Sequence, residues 1–299
     1  MPLPRQIEVI VRDWLCANHI LLTGRDGTVL VDTGYVTRAT QTLALLDERL
    51  RGQGVDLLVN THCHSDHMGG NAAVRRRYGC RTLIPEAEAP LIRSWDEEAL
   101  WLAYADQQAE QFEFDGELMA GTHHRWGDLD WRSVPAPGHD PGALMFYCEE
   151  YRILISGDAL WERGFGIVMP GVPGGLDDAA RTLEAIAALD VALVIPGHGE
   201  PFADVDAALE HSFGRIRALR GDPVRQARSA LKAILAFTLL DRGALPLDTL
   251  PDYFARVPLY RDLNTRYFHL PPVQFAESLV SDLERAGGAR REGGLLLAA

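Results

Sequence analysis

Residues 61–71 read THCHSDHMGGN and closely follow Val55–Val59, an apolar segment typical of a buried strand. Four side chains of this run can bind metal: His62, His64, Asp66 and His67. In an extended loop His62 and His64 point to the same side, and the other two lie further along. The run therefore predicts ligands for two adjacent metal positions. Imidazole and carboxylate donors favour zinc and also suit iron or manganese.

Three further ligand candidates each follow a glycine at the end of an apolar strand or loop. They are His139 in Pro137-Gly138-His139, Asp158 in Ser156-Gly157-Asp158 and His198 in Pro196-Gly197-His198. Glycine permits the tight turn that delivers a ligand from a strand end. One Gly-His pair alone is usually a simple turn. Together with residues 61–71, the three predict one metal site assembled from several strand ends.

Four motifs in this order resemble the metallo-β-lactamase-fold hydrolase superfamily: THCHSDHMGGN, APGHDPGAL, LISGDAL and IPGHGEPF. The resemblance covers roughly residues 7–215. It implies an α+β fold, a four-layer αβ/βα sandwich with the site at one edge between two sheets. It also implies the ligand sets: His62, His64 and His139 for one metal, Asp66, His67 and His198 for the other, and Asp158 as the bridge.

Asp32 ends an early strand in Val31-Asp32-Thr33-Gly34. It resembles the aspartate with which this superfamily supports a ligand histidine from an equivalent strand end. An Asx turn that closes the strand is an equally good reading of the residues alone.

Two divalent cations, two Zn²⁺ by preference, would share Asp158 and one water and would lower the pKa of that water. The resulting hydroxide would attack an ester or thioester-type carbonyl of a small molecule. Asp66 is placed to orient the hydroxide and to handle its proton. We therefore expect a zinc-dependent hydrolase with Asp66 and Asp158 as its catalytic carboxylates.

Two alternatives stay open: a metal-dependent RNA endonuclease or phosphodiesterase, and a mononuclear-iron sulfur dioxygenase. The histidine-rich loop is particularly similar to the hydroxyacylglutathione hydrolase (glyoxalase II) group, whereas IPGHGEPF departs from that group's pattern. The chain has 29 basic and 42 acidic residues, a net charge of −13, which argues against nucleic acid as a partner. The complete set of ligand residue types argues against a non-enzymatic binding module.

Length and composition predict a globular chain of two domains. The 299 residues are 47% hydrophobic, and Gly221-Asp222-Pro223 interrupts two helical patterns. We expect a catalytic domain over residues 1–222 and a small, mainly helical, winged-helix-like domain over residues 223–299. The four cysteines are irregularly spaced and indicate free thiols. Charged residues interrupt the apolar residues near the N-terminus, and no apolar segment is long enough to span a membrane. We therefore expect a cytoplasmic protein without membrane contact.

Hydrophobic periodicity predicts the elements of secondary structure. The expected strands are Ile7–Val11, His19–Leu22, Thr28–Asp32, Val55–Val59, Arg81–Ile84, Leu129–Val134, Ala143–Cys148, Arg152–Ser156 and Val191–Ile195. The expected helices are Thr40–Arg51, Asn71–Tyr78, Asp96–Gln111 and Leu176–Leu189, followed by helical patterns from Asp204 and a wing at Arg290–Leu297.

The C-terminal segment is too rich in apolar residues to bury them all alone. Leu231–Leu240 is almost continuously apolar, and aromatic residues recur over residues 253–275. We expect this segment to dock beside the site opening and any excess apolar surface to form a homodimer contact. The expected substrate wall consists of Trp161, Phe165, Tyr267, Phe268 and His269.

Overall fold

Strands and helices alternate along the computed structural model, which describes residues 3–299. The strands are β1 (Ile7–Ile10), β2 (His19–Gly24), β3 (Gly27–Val31), β4 (Leu57–Val59), β5 (Arg81–Pro85), β6 (Gly116–Leu118), β7 (His123–Trp126), β8 (Leu129–Pro135), β9 (Leu144–Cys148), β10 (Ile153–Gly157), β11 (Leu193–Pro196), β12 (Ala244–Pro246), β13 (Ala289–Glu292) and β14 (Leu295–Ala298). The α-helices are α1 (Ala39–Leu50), α2 (Ser65–Met68), α3 (Asn71–Tyr78), α4 (Ala89–Ser94), α5 (Leu102–Ala105), α6 (Gly175–Ala188), α7 (Val205–Leu219), α8 (Pro223–Arg242), α9 (Leu250–Arg256), α10 (Pro258–Leu263) and α11 (Pro272–Arg285).

Two sheets carry most of the strands. The first has the order β1-β2-β3-β4-β5-β6, with antiparallel pairs up to β3 and parallel pairs from β3 onward. The second has the order β11-β10-β9-β8-β7, in which only β10 and β11 are parallel. Each strand predicted from the sequence is present within two residues at either end.

The alternation of side chains along these strands builds four layers. In β3, Val31 packs into the core between the two sheets, and its neighbour Leu30 packs on the opposite face beside α1 and α3. In β10, Ile155 enters the core between the sheets, while Leu154 packs beside α6 and α7. A strand buried on both faces is mostly apolar, and the buried residues of β3 and β10 are apolar apart from Thr28 and Ser156. The predicted four-layer sandwich is confirmed.

The carboxyl ends of four strands meet at one edge of this sandwich. Asp32 follows β3, and residues 60–67 follow β4 in the same sheet. Asp158 follows β10 and His198 lies two residues after β11 in the other sheet. Both parallel strand pairs therefore deliver their following loops to the same side of the molecule.

One predicted helix is wrong. Of the expected Asp96–Gln111, only α5 is α-helical, and its flanking residues Trp101 and Asp106 have positive φ angles of 66° and 56°. Leu102 packs against the cluster beside α3 and α4, whereas Ala105 packs against the C-terminal helices. The left-handed conformations of Trp101 and Asp106 end the helix on both sides, so tertiary packing overrides the helical propensity of this segment.

The C-terminal region has its own apolar core and is mainly helical, as expected. Leu235, Phe254, Tyr260 and Leu279 are buried in it. The predicted wing is the β13–β14 hairpin, and the sequence missed β12, which pairs with β14. Helix α8 begins at Pro223, where the Asp222 side chain accepts a hydrogen bond from the Arg225 amide at 2.9 Å. The division into two domains at this point stays a prediction.

None of the helices within residues 3–299 combines the length and the apolarity needed to cross a bilayer.

Candidate metal centre

All seven predicted ligands meet at the edge where the strand ends converge. They form two groups in which one donor atom from each residue lies within 4.8 Å of the others. The first group is His62, His64 and His139, and the second is Asp66, His67, Asp158 and His198. The structure therefore brings together residues that are up to 136 positions apart in the chain.

The Asp158 carboxylate lies between the two groups. Its Oδ1 is 3.3 Å from Nε2 of His67 and 3.8 Å from Nε2 of His198. Its Oδ2 is 3.4 Å from Nε2 of His139, which belongs to the other group. One carboxylate that faces both groups fits the predicted bridging position.

Glycines next to the ligands are required by close packing. A Cβ on Gly138 would lie 2.6 Å from Cα of Ala179, and the φ angle of Gly138 is 136°. A Cβ on Gly197 would overlap the Oδ1 atom of Asp158. Each glycine therefore lets the backbone approach its neighbour closely enough to place the histidine that follows it.

The donor atoms fit divalent cations. Nε2 of His62 is buried without a hydrogen-bond partner, and Nε2 of His67 makes no hydrogen bond although Asp158 is close. Unpaired buried nitrogens are costly unless another group binds them. Burial, together with neighbouring His67, holds the pKa of His62 well below its ordinary value. Burial and a nearby imidazole lower the pKa of His64 to about 4. Neutral imidazoles have the lone pair that a cation needs.

The remaining side chains supply negative charge. Burial opposes ionisation, but the imidazole of His67 and that of His198 lower the pKa of Asp66 and of Asp158. Burial disfavours a charged His67, but Asp158 and the other nearby carboxylates raise the pKa of His67 well above its ordinary value. A carboxylate cluster that draws a proton onto a buried histidine attracts a divalent cation for the same electrostatic reason.

Asp32 lies directly beneath the second ligand group. Its Oδ2 is 2.9 Å from Nδ1 of His67 and accepts a hydrogen bond from the Thr61 hydroxyl at 2.8 Å. Its Oδ1 accepts from the Thr61 amide at 2.9 Å. When Nδ1 of His67 carries the proton and donates a hydrogen bond to Asp32, Nε2 keeps a free lone pair that can bind a cation. This position fits the predicted support of a ligand histidine.

A buried pair of acids behind the first ligand group was not predicted. Asp140 Oδ2 lies 3.5 Å from Nε2 of His64, whose Nδ1 lies 2.8 Å from Nε2 of His139. Glu88 lies beside Asp140, whose charge acts on the Glu88 carboxyl, and a Cβ at Gly142 would overlap that carboxyl. The only sequence signal was the acidic residue after His139, which says nothing about a partner 52 positions earlier.

Glu88 is expected to make stability depend on pH. Burial, followed by the charge of Asp140, raises the pKa of Glu88 well above its ordinary value, so the folded protein holds this proton more tightly than the unfolded chain. The stability from this proton is present below the unfolded pKa of about 4.5 and is lost as pH rises toward the folded value. Glu88→Gln removes this loss. As pH rises, the unfolding free energy of the variant therefore increases relative to that of wild type by up to about 1.4 kcal/mol per pH unit.

Thermal unfolding between pH 5 and pH 8 measures this effect, with the exposed Glu149→Gln as the matched control. We expect the stability of wild type and the control to change in parallel with pH, and Glu88→Gln to gain stability relative to both as pH rises. Parallel curves for all three proteins would contradict a protonated Glu88.

Two tryptophans enclose His198, and the sequence indicated only one of them. Trp14 stacks on the His198 ring with a centroid distance of 5.5 Å and an interplanar angle of 6°. Trp161 meets the same ring edge-on at 5.5 Å, and its Nε1 donates a hydrogen bond to Asp158 at 3.2 Å. Trp14 is 57% exposed and also forms part of the lining of a cavity beside the ligands.

A cavity of about 320 Å³ opens above the ligands. Its lining includes the predicted Trp161 and Phe165 but, within residues 3–299, none of Tyr267, Phe268 and His269. The structure thus corrects the predicted wall. Tyr267 and Phe268 pack against the C-terminal core instead, and His269 is exposed. Helix α8 provides this side of the wall.

Comparison with known proteins agrees with this architecture. A family model described as the metallo-beta-lactamase superfamily matches residues 13–198. A hydroxyacylglutathione hydrolase from Rhodospirillum rubrum is 26% identical over 204 residues, which are 64% of this chain and 72% of that protein. One from Brucella ovis is 25% identical over 136 residues, 46% of either chain, so this chain spans about half the length of that relative.

Among solved structures, a metallo-beta-lactamase family protein from Thermus thermophilus has a similar fold. Its TM-score is 0.62 at 22% identity, and the alignment covers 100% of both chains. The match of the family model extends over more than half of the chain and includes all seven predicted ligands. The chain therefore belongs to the metallo-beta-lactamase superfamily.

Proposed function

We propose that this protein is a dinuclear metal-dependent hydrolase that cleaves an ester or thioester-type carbonyl of a small molecule. The observation that carries the proposal is the pair of ligand groups at the floor of a cavity, with the Asp158 carboxylate facing both of them. Two Zn²⁺ ions suit these nitrogen and oxygen donors, and iron or manganese would also fit them.

Each cation would be held by its own set of side chains. His62, His64 and His139 would hold one cation, Asp66, His67 and His198 the other, and Asp158 would contact both. Bound divalent cations supply water activation at neutral pH and polarisation of a carbonyl oxygen. Asp66 lines the cavity, and its lowered pKa keeps it a carboxylate. Its Oδ2, 3.1 Å from Nε2 of His198, can orient the attacking water and accept its proton.

The size and lining of the cavity favour a small molecule over a nucleic acid. Most of its lining residues are apolar, and Arg215 is the one Arg or Lys among them in the described part of the chain. The net charge of −13 repels a polyanion. The relatives named hydroxyacylglutathione hydrolase, by that name, act on an acyl group joined to glutathione, which favours thioester-type chemistry.

A substrate panel tests the proposal. Acyl thioesters, lactones, phosphodiesters and RNA are each incubated with the purified protein, with and without a chelator, and elemental analysis counts the metal. We expect about two metal ions per chain and hydrolysis of thioesters or esters that the chelator abolishes and zinc restores. RNA cleavage as the main activity, or oxygen consumption with glutathione persulfide and iron as the metal, would replace the proposal by one of the alternatives.

A further inference from the structure

The cavity above the ligands is bounded mainly by apolar side chains. Trp14, Trp101 and Trp161 contribute three indole rings, and Phe165 and Phe237 add two phenyl rings. The polar groups at its floor are the predicted metal ligands themselves. The cavity therefore has a chemically reactive floor beneath an apolar chamber.

Helix α8 closes the opposite side with one of its two apolar faces. Ala233, Ala236, Phe237 and Leu240 recur at helical spacing and line the cavity, whereas Leu235 and others on the second face are buried in the C-terminal core. This division explains why Leu231–Leu240 is almost continuously apolar. The face in the C-terminal core holds the helix in place. On the other face Phe237 and Leu240 also pack against the cluster of Leu15 and Tyr35, and the surface that still borders the cavity is available to a ligand.

Each of the two polar wall residues makes one hydrogen bond within the protein. Gln107 Oε1 accepts a hydrogen bond from the Ser65 hydroxyl at 2.7 Å. Arg215 Nη1 donates to the Phe165 carbonyl oxygen at 2.9 Å, and its guanidinium lies 4.9 Å from the centre of the Phe165 ring. A polar or charged acyl group would lose its hydration there and gain few partners in return.

We propose that the substrate carries an apolar acyl group, which lies between the tryptophans and α8 while its carbonyl faces the ligand groups. This inference rests on the proposed function and names its substrate class. Each methylene buried in such a chamber improves binding about fourfold. A volume of about 320 Å³ is at the small end of ligand sites, so the gain ends once the chamber is full.

The test compares acetyl, butanoyl and hexanoyl thioesters of N-acetylcysteamine, which share one leaving group. Between acetyl and butanoyl, two methylenes predict a rise in kcat/KM of about fifteenfold. Ala236→Leu fills part of the chamber and should reduce activity on the hexanoyl thioester, relative to activity on the acetyl thioester, at least about tenfold. Ala233→Leu, at a more exposed lining position, is the second variant.

The control is Ala185→Leu on the exposed face of α6, which should leave the chain-length preference unchanged. Tryptophan fluorescence, titrated with acetate and hexanoate, measures binding without turnover. Equal kcat/KM for the three thioesters, or equal losses on all of them in both lining variants, would overturn the apolar acyl site and leave the hydrolase standing. Hexanoate binding that Ala236→Leu weakens, without hydrolysis of any thioester or ester, would retain the apolar site and refute the proposed function.

Discussion

Asp158→Asn is expected to lower kcat/KM by about two to three orders of magnitude while the protein stays folded. The Asp158 side chain is 7% exposed, and its two oxygens face different ligand groups. Asparagine has nearly the same shape but lacks the negative charge, and its NH₂ cannot bind a cation. The substitution therefore removes the group through which two neighbouring positive charges would be kept together.

Three measurements separate this effect from unfolding. Circular dichroism should match wild type, elemental analysis should show fewer metal ions per chain, and turnover should be lost on every substrate that wild type hydrolyses. Asp130→Asn is the control, because Asp130 pairs with His123 on an exposed strand. Activity within a few-fold of wild type would refute a bridging role for Asp158.

The ligands could be predicted from the sequence because each signal is local. A histidine or aspartate after a glycine at the end of an apolar strand is visible within about eight residues, and topology then brings these strand ends to one edge. The residues that pack around these ligands lie far from them in the sequence. Nothing near Asp140 indicates Glu88, and nothing near His198 indicates Trp14, since packing alone brings them together.

The substrate wall shows the same limit. The sequence indicates that the C-terminal segment must cover apolar surface, and α8 does contribute to the cavity. The periodicity of α8 is nevertheless ambiguous. Because the helix is apolar on two faces, its sequence does not predict which face packs in the C-terminal core and which lines the cavity. The aromatic residues after α10 looked equally suitable, and only the path of the backbone excludes them.

Asp32→Asn is expected to weaken metal binding about 10-fold to 100-fold. The φ angle of Asp32 is 57°, a left-handed conformation that asparagine tolerates, so the backbone needs no change. The carboxylate contacts both Nδ1 of His67 and the Thr61 hydroxyl with Oδ2. If an amide NH₂ takes that place, it cannot accept a hydrogen bond from Nδ1 of His67. The proton then moves to Nε2, the nitrogen that must be free to bind a cation.

Competition with a chromophoric zinc chelator measures this affinity. Asp56→Asn is the matched control, because Asp56 also accepts a backbone hydrogen bond, from the Thr28 amide at 2.8 Å, yet lies outside both ligand groups. Similar melting temperatures of the two metal-free variants, together with weaker zinc binding only in Asp32→Asn, would assign the effect to the orientation of His67. Unchanged zinc affinity would mean that Asp32 merely closes the strand, because the loss of an Asx turn alone alters stability without altering the tautomer of His67.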